Sequence, residues 1–68
     1  MIDRIALNIR RLPEGVYLAT SEDVPGLTVE CETREETEAA ARAIAVELLE
    51  EEIGHPLPQP PHFTITYS

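Results

Sequence analysis

Between Tyr17 and Glu36 the chain reads Tyr-Leu-Ala-Thr-Ser-Glu-Asp-Val-Pro-Gly-Leu-Thr-Val-Glu-Cys-Glu-Thr-Arg-Glu-Glu, and no other run restricts the fold as much. Pro25-Gly26 suits the two central positions of a type II turn: proline presets the first φ and glycine accepts the positive second one. Before the turn, Val16 to Ser21 reads as a strand. After it, Leu27, Val29 and Cys31 alternate with Thr28, Glu30 and Glu32, which is the period of a half-buried strand. Thr33 then precedes Glu36 by three residues. That spacing is a capping box, in which each side chain is placed to satisfy the other's free backbone N–H at a helix start.

The flanking segments add one strand on each side. Ile5, Leu7 and Ile9 alternate with Arg4, Ala6, Asn8 and Arg10, and Leu12-Pro13-Glu14-Gly15 breaks the run into a hairpin. The helix continues through Ala-rich sequence to Ile53, where Gly54 offers a left-handed C-cap. About twenty residues at 1.5 Å each give ~30 Å, enough to cross a small sheet diagonally. Pro56, Pro58, Pro60 and Pro61 stiffen the return loop. Phe63, Ile65 and Tyr67 alternate with Thr64, Thr66 and Ser68 as a fourth strand. The expected fold is α+β, in the order β-β-β-α-β. An antiparallel meander is followed by one right-handed crossover helix, in two layers and a single domain over residues 1–68.

At 100° per residue, Ala41, Ile44 and Leu48 form a helix stripe flanked by Ala40 and Ala45, expected to face the sheet. A second apolar stripe, Ala39, Val46, Leu49 and Ile53, is expected to point away, where a small protein's helix is normally polar. Such spacing fits contact with a partner or a second copy, or else cover by the fourth strand, its loop or the Pro-rich segment of the same chain. Glu50, Glu51 and Glu52 sit beside the negative end of the helix dipole, an unfavourable placement that basic groups of a partner would offset. Val46, Leu49, Ile53 and Glu50 are therefore the candidate contact residues. Asp23, Pro25, Gly26, Thr33, Glu36 and Gly54 are candidate turn and cap residues.

Thirteen acids oppose five arginines, with no lysine, for a net charge of −8. Proteins bind nucleic acids by neutralising phosphates, so direct nucleic-acid binding is not expected. A basic partner is favoured by steering. With 68 residues the chain buries only about 60% of its unfolded surface, and a core of this size contributes ~3–5 kcal/mol, so self-association into dimers or tetramers is expected. No signal peptide or membrane-spanning run is visible, which points to the cytoplasm.

Chemistry is sparse. Cys31 is in phase with Leu27 and Val29 and reads as a buried small hydrophobe between two glutamates that oppose a thiolate. His55 and His62 bracket the proline loop without a third ligand, so no metal site is expected. His55 is placed to meet the free carbonyls of the helix end. Glu22 and Asp23 lie on a tight turn with no cleft, and Asp23 has a sufficient role in closing that turn. No nucleophile set or phosphate loop is present. A non-enzyme without cofactor is the expectation.

The stretch from Tyr17 to Leu49 resembles the HicB-like antitoxin superfamily. The likeness rests on Val16-Tyr17-Leu18-Ala19-Thr20-Ser21, the turn Asp23-Val24-Pro25-Gly26-Leu27, the segment Glu32-Thr33-Arg34-Glu35-Glu36 and the Ala-rich helix after it. With the first strand and Phe63 to Tyr67 included, it covers nearly the whole chain. The resemblance implies a partial RNase-H-like fold without that enzyme's catalytic carboxylates. It also implies homo-oligomers and neutralisation of a small basic HicA-type mRNA interferase. Longer relatives carry a C-terminal DNA-binding segment, whereas this sequence ends just after its fourth strand. The alternative is an orphan self-associating domain with no toxin partner.

Overall fold

The computed structural model describes residues 4–68, and the first three residues of the expected domain lie outside the described residues. The elements are β1 (Arg4–Arg11), β2 (Tyr17–Thr20), β3 (Thr28–Cys31), α1 (Arg34–Ile53) and β4 (His62–Tyr67). This is the expected mixed α+β architecture of four strands and one helix. The sheet has the order β3-β2-β1-β4, with β1 antiparallel to β2, β2 antiparallel to β3, and β4 parallel to β1. The chain therefore leaves the sheet at one edge, β3, and returns at the other, β4. A parallel return needs a long connection, and the 20-residue α1 with its proline loop supplies it.

Alternation along β1 sorts its side chains as read from the sequence: Ile5, Leu7 and Ile9 are buried, while Arg4, Ala6, Asn8 and Arg10 are exposed. Register carries the same face across the sheet. Ile5 pairs with Phe63, Leu7 with Ile65, Ile9 with Ala19, and Ala19 with Val29. Burying each large aliphatic side chain contributes about 1.5–3 kcal/mol. Val24 and Leu27, on either side of Pro25-Gly26, are also buried and belong to the same core cluster. The turn is thus a plug at the end of the core as well as a connection.

The helix seam differs from the expected one. The buried residues of α1 are Thr37, Ala41, Ala45 and Leu49, a strict i+4 row, with Ala40, Ile44 and Leu48 only half-buried beside it. The sequence pattern puts Leu49 on the face away from the sheet, yet it is 5% exposed and inside the core. The i+4 ridge of a helix is inclined to its axis, and strands twist beneath it, so the buried row drifts around the helix as it advances. A stripe drawn parallel to the axis misplaces residues near the helix end. Thr37 is fully buried without penalty, because its hydroxyl donates to the Thr33 carbonyl at 2.7 Å.

Candidate interaction surface

Of the expected contact residues, two remain on the surface. Ile53 is 42% exposed and Val46 is half-buried; neither belongs to the core cluster. Leu49 is removed by its burial. Glu50 is half-buried and already occupied: its carboxylate accepts the Leu57 backbone N–H at 3.0 Å, which ties the proline loop to the helix. Glu47, Glu51 and Glu52 are exposed, and no basic residue lies in the last turn of α1. Glu47, Glu51, Gly54, His55 and Pro56 rim an open depression at this end of the helix.

The turn and cap residues fall where the sequence places them, with two changes of role. Gly26 (φ +85°) follows Pro25, and the Leu27 N–H donates to the Val24 carbonyl across them at 3.2 Å. Gly54 (φ +82°) closes α1, donating to the Glu50 carbonyl. At the other end the Glu36 N–H donates to Thr33 Oγ1 at 3.1 Å, but the Glu36 carboxylate takes the Thr33 hydroxyl at 3.0 Å rather than its backbone N–H. The capping box is therefore half formed. Asp23 does more than close a turn: its carboxylate accepts the backbone N–H of Ala6 in β1 at 2.8 Å.

Cys31 is half-buried against the core and pairs with Tyr17 across β2 and β3. His55 pairs its Nδ1 with the Pro56 carbonyl at 2.9 Å, not with the helix carbonyls as expected. Among the described residues no group of three His, Cys, Asp or Glu side chains could hold a metal ion. Among them, too, no helix is long and apolar enough to cross a membrane.

Sequence reading missed the flank between α1 and β4. The Arg34 guanidinium lies 4.9 Å from the centre of the Tyr67 ring, the Tyr67 hydroxyl donates to Glu38, and Arg42 lies 6.0 Å from the Phe63 ring centre. Cations over aromatic faces are attracted by the ring quadrupole. Arg34, Glu38 and Arg42 recur every four residues and share one helix face. That spacing was the available signal. The flank is sparsely covered, since α1 packs chiefly over β3 and β2. Phe63 and Ile65 are half-buried, and Tyr67 is 48% exposed.

Residues 13–66 match the model of a family described as a domain of unknown function, DUF1902. The chain belongs to the DUF1902 family. Among solved structures it is similar to the hypothetical protein TTHA1013 from the extremely thermophilic bacterium Thermus thermophilus. That likeness has 36% identity and a TM-score of 0.66, and it covers 93% of this chain and 92% of the other. No curated protein matches the sequence.

Proposed function

We propose that this DUF1902 chain is an antitoxin-like binding module of the HicB-like kind, with a partial RNase-H-like fold. It acts in the cytoplasm without a cofactor, by occluding a small basic HicA-type mRNA interferase rather than by catalysis. The observation that carries this reading is the outer face of the C-terminal half of α1. There Glu47, Glu51 and Glu52 are exposed with no basic neighbour in the last turn, beside Val46 and Ile53. Glu51 and Glu52 lie in the last turn, where exposed acids at the negative end of a helix dipole are mildly unfavourable, by a few tenths to ~1 kcal/mol each. A basic partner would reverse that cost, and Val46 and Ile53 supply apolar contact. The net charge of −8 and the resemblance of the Asp-x-Pro-Gly turn and Thr-x-x-Glu helix start support the same reading.

The test is a tagged pull-down from the native cytoplasm with intact-mass analysis. The expected companion is a stoichiometric small basic protein whose ribonuclease activity this chain inhibits. Val46→Asp with Ile53→Asp should abolish inhibition while the fold persists; unchanged inhibition removes this surface from the mechanism.

One observation favours a second reading, an orphan homo-oligomer. Phe63, Ile65 and Tyr67 lie incompletely covered along an edge strand. A clean oligomer eluting without a basic companion would select it.

A further inference from the structure

We infer that the free edge of β4 pairs antiparallel with β4 of a second copy, about a two-fold axis at Ile65. The inference rests on the self-association reading above and names the surface that it uses.

The direction of the backbone groups comes first. The Ser68 N–H donates to the Ile9 carbonyl at 2.9 Å. In a strand, N–H and C=O groups of alternate residues point to the same side. Thr66 and Thr64 therefore bond inward to β1, and Phe63, Ile65 and Tyr67 direct their N–H and C=O groups outward. The edge is continuous over His62–Tyr67 and begins immediately after Pro60-Pro61.

The two edges of the sheet are built differently. β3 is four residues long, carries Glu30 and is followed by Glu32, features that blunt an edge against pairing. β4 is six residues long, and Phe-Thr-Ile-Thr-Tyr holds no formal charge and no proline. Nothing within it discourages a second strand.

The sequence of β4 is also complementary to itself. Centred on Ile65, antiparallel pairing sets Ile65 opposite Ile65 and Phe63 opposite Tyr67 as hydrogen-bonded pairs. Every outward N–H and C=O of these residues then meets a partner. Thr64 falls opposite Thr66 on the open face, a favourable cross-strand pair. His62 falls opposite Ser68, so no like charges meet. Phe63, Ile65 and Tyr67 of both copies form one apolar row on the helix side, covering the flank that α1 leaves half-open. The product is an eight-stranded sheet with both helices on one side.

A charge-swap series tests this. Thr64 and Thr66 are exposed on the face opposite the core, so substitutions there spare the monomer fold. Thr64→Arg with Thr66→Arg sets arginine against arginine twice in the pair, and Thr64→Glu with Thr66→Glu sets glutamate against glutamate. By sedimentation equilibrium, each variant alone should dimerise roughly tenfold or more weakly than the parent. An equimolar mixture should form the heterodimer at about parental strength or better. Circular dichroism checks that both fold. A parent dimer that neither variant weakens overturns the edge while leaving self-association standing. A parent that is monomeric at every concentration overturns both.

Discussion

Asp23, just beyond β2, binds β1 at Ala6: its carboxylate accepts the β1 backbone N–H at 2.8 Å, seventeen residues away in sequence. β2 pairs with β1 only from Asn8 to Arg11, so the first half of β1 lacks a strand on that side. The Asp23 side chain substitutes for the missing carbonyl. Its own N–H is held by Ser21 Oγ at 3.1 Å, which orients the loop.

Asp23→Ala should therefore destabilise the protein by about 1–2 kcal/mol, since a hydrogen bond to an ionised acceptor is lost. Asp23→Asn keeps an acceptor oxygen and should recover part of the loss. Urea unfolding followed by circular dichroism measures both. Equal effects of the two substitutions would assign the cost to the loop rather than to the contact.

Leu49, Val46 and Ile53 should separate sharply on truncation. Leu49→Ala opens a cavity beneath the helix and should cost ~2–4 kcal/mol. Val46→Ala and Ile53→Ala should each cost less than about 1 kcal/mol in the free protein. Comparable losses at all three positions in denaturant titrations would contradict the i+4 seam.

Thr37→Val is expected to be tolerated, within about 1 kcal/mol, despite its complete burial. The Thr33 carbonyl that accepts the Thr37 hydroxyl also accepts the Thr37 backbone N–H at 3.0 Å, so removing the hydroxyl orphans nothing. Thr37→Asp would place a charge in the core and should unfold the chain. Thermal melts of the two variants decide the point.

Gly54→Ala isolates backbone strain from crowding. The residue sits at φ +82°, and a Cβ added there would meet nothing within 4 Å, so only the left-handed conformation is penalised. The expected loss is about 1 kcal/mol. A D-alanine at position 54, introduced by chemical synthesis, should remove the penalty. If both alanines behave alike, the strain explanation fails.

Much of the fold was legible because its signals are local. Alternation at Ile5, Leu7 and Ile9 depends on the two-residue period of a strand, and the Pro25-Gly26 turn depends on two residues' own dihedral preferences. Thr33 and Gly54 bracket α1 because caps answer to backbone groups within one turn. The candidate contact surface was only half legible. Val46 and Ile53 stayed outside the core, but Leu49 did not, and Glu50 was occupied by Leu57. Those outcomes depend on the tilt of a helix over a twisted sheet and on where a proline loop returns.

By itself the sequence determined the order of the strands and the helix and their ends to within a residue, the face that β1 buries, and the acidity of α1, since all of these follow from residues a few positions apart. The tertiary structure decided which apolar helix residues are core, that Asp23 serves a strand it does not belong to, and that β4 lies parallel to β1 at an edge of the sheet, with no further strand beside it among the described residues. Each of these depends on the distance between segments far apart along the chain. Local periodicity holds no record of that distance.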